Sequence, residues 1–124
     1  MALKKIRLEL ARTPEFPLGS RNHGYEFVAP LTGDGHFDDN EWRGNRAKCT
    51  VRRFWPREDD ELGHLVHTRH RTWAFHYDGT DPDEDEPIFK FDRHLMKEGE
   101  YVTITEHDGV ARPFKMVKVA PFFG

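Results

Sequence analysis

Gly63 to Tyr77 reads GHLVHTRHRTWAFHY and holds four of the chain's eight histidines. Leu62–His67 and Thr72–Tyr77 have strand composition, and the residues between them fit a hairpin turn. A turn centred on His70 pairs His64 with His76, Leu65 with Phe75, Val66 with Ala74 and His67 with Trp73. Side chains alternate across a strand, so Leu65, Trp73, Phe75 and Tyr77 then share one apolar face. A slip of one residue sets His64 against Phe75 and breaks that face. The stretch is read as an antiparallel hairpin in the first register.

The same period of two recurs outward from it. Ile6, Leu8 and Leu10 alternate with Lys5, Arg7 and Glu9. Tyr25–Ala29 is a short aromatic strand stopped by Pro30, after a loop expected over Thr13–Gly24. Lys48–Trp55 carries Cys49, Val51, Arg53 and Trp55 on one face, with Thr50, Arg52 and Phe54 on the other. Pro87–Phe91, Glu100–Thr105 and Val110–Val119 complete the set. Asp108-Gly109 is a strong hairpin signal between the last two, and Pro113 predicts an edge or a bulge. The one helix signal is Asp38, placed to cap a short helix three residues before Glu41 and to carry Trp42 inward. About eight closely spaced strands with no βαβ alternation predict an all-β fold, a small antiparallel barrel or rolled sheet, with one short helix.

The chain has 124 residues, of which 33% are charged and 13% aromatic. That length fits one domain over 1–124, and the aromatic content argues for a packed core in spite of a mean hydropathy of −0.82. No apolar run is long enough for a signal peptide or a membrane span. The single cysteine, Cys49, forms no intramolecular disulfide, so a cytoplasmic protein is expected. The net charge of −3 opposes tight non-specific nucleic-acid binding. Charge is nonetheless segregated along the chain. Arg43–Arg57 holds basic and no acidic residues, and the acidic runs Glu58–Glu61 and Asp78–Glu86 follow; the latter are expected to be solvated loop.

The histidine hairpin raises a metal site. His64 and His76 would have Cβ atoms roughly 4.5–5.5 Å apart, with His67 as a third ligand, and a transition metal would be the cofactor. No second motif supports it: neither the paired histidines of cupins nor the helical zinc pattern occurs. Cys49 lies within a predicted strand, where a lone cysteine is a small buried hydrophobe rather than a nucleophile. Aromatic and basic residues interleave in Val51–Arg57 and Arg69–Phe75, as in single-strand nucleic-acid binders. The tail Val119–Phe123 and an open strand edge at Pro113 offer either a homodimer contact or packing against the barrel itself.

His23–Leu31 (HGYEFVAPL), Glu58–His67 (EDDELGHLVH) and Gly99–Ile104 (GEYVTI) resemble a group of small uncharacterised bacterial proteins over most of the chain. The resemblance implies no activity. The residues themselves point to a non-enzymatic binding module without a cofactor, engaging a partner protein or small anionic ligand through loops and a basic surface. Its contact candidates are Arg21, Asn22 and His23 in the long loop and Arg52, Arg53, Arg69 and Arg71, since guanidinium groups match carboxylates and phosphates. A metal protein or metal-dependent enzyme at His64 and His76, and a single-strand nucleic-acid binder, are the alternatives.

Overall fold

A computed structural model describes residues 3–69 and 71–123. Eight antiparallel strands close into a barrel in sequence order, with β1 (Leu3–Leu10) paired to both β2 (Ser20–Pro30) and β8 (Ala111–Pro121). Between them run β3 (Thr50–Phe54), β4 (Glu61–His67), β5 (Trp73–Tyr77), β6 (Glu86–Ile88) and β7 (Tyr101–Thr105). The β4–β5 register is the one the alternation favours: His64 faces His76, Leu65 faces Phe75 and His67 faces Trp73. Gly63 sits in that ladder opposite Tyr77 because the strands come too close for a side chain. A Cβ there would fall 1.9 Å from the His76 carbonyl oxygen. His70, expected at the turn, lies outside the described residues.

Inward positions fill the barrel with side chains. Ile6, Leu8, Phe27, Leu65, Phe75, Ile104, Phe114 and Met116 are all buried. Phe75 touches both Tyr25 and Phe27, with ring centroids 5.1 and 5.2 Å apart. One end is closed by α1 (Asp39–Gly44) and the segments around Phe37 and Phe91. The Asp38 carboxylate accepts the Glu41 N–H at 3.2 Å, as the cap signal requires, and Trp42 is buried.

Several boundaries differ from expectation. The loop after β1 ends at Gly19, so Arg21, Asn22 and His23 belong to β2. Strand β6 stops at Ile88, and Lys90 then adopts a left-handed conformation, leading into a 3-10 turn at Phe91–Arg93. Cys49 precedes β3 and is buried, with its thiol pushed up to about 11 by burial. Pro113 lies neither at an edge nor at a bulge. The barrel leaves no open edge there, and the irregularity in β8 falls between Met116 and Lys118. Pro113 is tolerated because it sits just past the last β1–β8 pair, Leu10 with Phe114. The C-terminal tail divides: Val119 and Phe122 pack on the core, and Phe123 is exposed.

Candidate functional site at the polar end of the barrel

The interior changes character at the end opposite α1. The last inward positions of four strands, or the residue just beyond, are Arg53, Glu86, Glu106 and Arg112, and all four are buried. Their side chains are 8%, 0%, 1% and 8% exposed respectively. Charges removed from water are costly unless they are paired. The Arg53 Nη2 group donates to Glu106 at 3.2 Å, and Arg112 Nη1 donates to the other Glu106 oxygen at 2.9 Å.

Two tyrosines complete the layer. The Tyr25 hydroxyl lies 3.0 Å from Glu86 Oε1 and 3.0 Å from Glu106 Oε2. It has one proton and cannot serve both at once. Tyr77 donates to Glu86 Oε1 at 2.5 Å, and the His107 backbone N–H donates to Glu86 Oε2 at 3.0 Å. Burial raises the Glu86 pKa above the ordinary carboxylate value, against the opposing effect of these donors and of Arg53. With Glu86 protonated toward the Tyr25 oxygen, Tyr25 donates wholly to Glu106; with Glu86 ionised, the two carboxylates compete for its one proton. Arg53 Nε, 3.6 Å from Glu86 Oε2, has no hydrogen-bond partner among the described residues.

The network reaches the rim. Arg112 also binds Asp108 and Glu15, at 2.9 and 3.2 Å. Arg53 lies 3.6 Å from Glu58 and 3.9 Å from Glu61. The His107 imidazole bonds Glu61 at 2.6 Å. Burial opposes the charge on His107, but the Glu61 hydrogen bond and the Glu86 carboxylate raise its pKa above the usual value. Over the arginines lies Trp55, with the Arg53 guanidinium 4.5 Å from its ring. His23 packs edge-on against Trp55 and Phe16 packs on His23. Burial, then Arg53 and Arg112, lower the His23 pKa and favour its neutral form.

The seven contact residues expected from sequence do not form one surface. Arg21 and Asn22 are exposed at the start of β2, whereas His23 is buried beneath Phe16. Arg52 lies on the outer face, paired with Glu26 and Asp60 and stacked over Phe54. Arg53 points into the barrel because it shares the parity of Val51. Arg69 and Arg71 are exposed at the opposite end. Glu86, expected in a solvated acidic loop, is instead the first inward residue of β6.

The metal reading meets a geometric obstacle. His64 and His76 do face one another, but alternation puts His67 on the other side of the sheet, against Trp73 at a ring distance of 4.6 Å. The His76 Nδ1 is hydrogen-bonded to Asp85 at 2.6 Å. Among the described residues no group of three or more His, Cys, Asp or Glu side chains is arranged to hold a metal. The aromatic side chains of Val51–Arg57 and Arg69–Phe75 are largely packed away: Phe54, Trp73 and Phe75 are buried, and half-buried Trp55 lies against Arg53 and His23. No helix among the described residues is long and apolar enough to cross a membrane.

The four connections at the polar end also set its charge. The β1–β2 loop has Glu15, the β3–β4 loop Glu58, Asp59 and Asp60, and the β5–β6 loop Asp78, Asp81, Asp83, Glu84 and Asp85. With Glu106 and Asp108 after β7, this end holds eleven of the chain's 22 carboxylates, against Arg12 and Arg57 in the same loops. A groove between the β3–β4 and β5–β6 loops is walled by Asp60, Glu61, Asp78 and Glu84, with Leu62, Tyr77, Thr80 and His107 completing the lining. No protein-family model, curated protein or solved structure matches the chain.

Proposed function

We propose that the protein is a non-enzymatic binding module whose polar end engages a basic segment of a partner protein. The observation that carries this reading is the charge segregation: half the carboxylates lie in four loops at one end of a barrel whose interior is packed with side chains. A filled barrel directs recognition to its ends and outer face, and a single-sign end focuses an attractive field on a partner of opposite charge. Buried Arg53 and Arg112 support the reading from below. Between them they tether Glu15, Glu58, Glu61 and Asp108, which come from three loops and β4, so part of the rim is ordered before any partner arrives. A lysine or arginine side chain of the partner enters the groove between Glu61 and Asp78.

The test is calorimetric titration with a lysine- and arginine-rich peptide at several salt concentrations. Saturable binding is expected, weakening steeply with salt and at least tenfold in an Asp59→Asn/Asp78→Asn/Asp83→Asn variant. Neutralising Asp39, Asp92 and Glu100 at the opposite end should leave it intact. Equal weakening by both triple variants, or no binding at low salt, sinks the proposal.

A further inference from the structure

We infer that the opposite end of the barrel carries a separate site for a phosphate group, in a depression lined by Trp42, Arg46, Ala47, His64, Leu65, Val66 and His67. The polar side chains around it are nitrogen donors, and none of its lining residues is a carboxylate. The chain as a whole has 22 acidic residues against 19 lysines and arginines.

Two of the donors are held in place by one pair of indoles. The Arg46 guanidinium lies 4.6 Å from the Trp42 ring centre. The His67 ring lies 4.6 Å from that of Trp73, tilted by 33°. The indoles meet edge to face at 4.7 Å and 89°. The Trp42 ring is itself fixed by its Nε1–H bond to the Leu65 carbonyl at 3.0 Å. Guanidinium, indole, indole and imidazole thus form a continuous row, with its two cationic-capable ends lining one depression. A stacked guanidinium keeps its edge N–H groups free, and Arg46 forms no ion pair among the described residues. The neighbouring Arg43 is instead 3.8 Å from Asp39.

The ligand class follows from the donors. The Arg46 guanidinium, from the 3-10 turn at Arg46–Lys48, and the His67 imidazole, from β4, offer N–H groups from separate elements, and a tetrahedral dianion presents acceptors in several directions. A carboxylate presents only two oxygens in one plane. Lys48 and the hairpin residues Arg69 and Arg71, all exposed nearby in the fold, add to the attraction at longer range. This site is independent of the acidic end, which lies across the length of the barrel.

The experiment is an amide and indole NMR titration with inorganic phosphate at constant ionic strength, with chloride as the balancing salt and acetate run in parallel. The expected result is saturable movement of the Trp42 indole N–H and of backbone signals at 46–48 and 64–67. At least tenfold weaker binding is expected in Arg46→Ala and in His67→Ala, whose spectra also report that they are folded. Shifts that never saturate, that persist in Arg46→Ala, or that acetate reproduces at the same concentration overturn the assignment.

Discussion

The two halves of the barrel interior are built from the same strands and obey opposite rules. Around Phe27, Phe75 and Phe114 the core is held by apolar area and ring contacts, which are non-directional and tolerate small adjustments. A few ångströms along the same strands, Arg53, Glu86, Glu106 and Arg112 form a layer in which each group depends on the position and protonation of the next. Such a layer contributes little net stability compared with an apolar core of equal volume, yet removing one member is costly. A core needs the first kind of packing; the second kind needs another reason, and here it orders the acidic rim.

The sharpest way to break this comparison is to remove one member from each half. Phe75→Ala is expected to cost about 3–5 kcal/mol through a cavity, and Arg53→Met about 3–5 kcal/mol because it strands buried carboxylates. Urea unfolding of both, and of Arg53→Met/Glu106→Gln, separates the causes. The second change should recover much of the loss at the polar end. A double variant no more stable than Arg53→Met would show that shape, not charge pairing, governs that layer.

A smaller effect concerns pH. Glu86 has a raised pKa on folding, so its contribution is complete below the ordinary carboxylate value and is lost as pH rises through the raised one. His107, also raised, gives a further loss in the same direction, beginning above the ordinary histidine value. Asp108, with a lowered pKa, acts oppositely, and its contribution is lost as pH falls. Stability measured from acid to neutral pH should therefore fall less in Glu86→Gln than in the natural chain, with only the part of the His107 decline that rests on Glu61 retained. Identical slopes for the two proteins would show that Glu86 does not titrate above the ordinary carboxylate range.

The smallest effect belongs to the apolar end. Asp38→Ala removes the carboxylate that caps α1 and is expected to cost about 1 kcal/mol. Amide exchange should rise around Trp42 and remain unchanged around Tyr25 and Tyr77. A change at the polar end instead would show that the two halves are coupled.

What could be read in the residues depended on range. The β4–β5 register followed from alternation alone, since only one register buries Leu65, Trp73, Phe75 and Tyr77 together. The Asp38 cap is three residues long and equally local. The polar layer is not apparent from local pattern, although its residues sit at inward positions. Arg53 follows Val51, Glu106 follows Val102 and Ile104, Arg112 precedes Phe114, and Glu86 precedes Ile88, all at the inward parity. A charge at such a position reads as the point where a strand leaves the core, and in the acidic run Glu86 is indistinguishable from its solvated neighbours.

The sequence by itself determined eight strands, their alternation, one capped helix and the hairpin register, because hydrophobic period and turn chemistry act over a few residues. Closure of the sheet was decided in three dimensions. So was the meeting of Arg53 with Glu106, of Tyr25 with two carboxylates, and of Arg46 with His67 across a pair of indoles. Those contacts join strands and loops far apart in the chain, and a buried charge becomes tolerable only when its partner arrives from elsewhere.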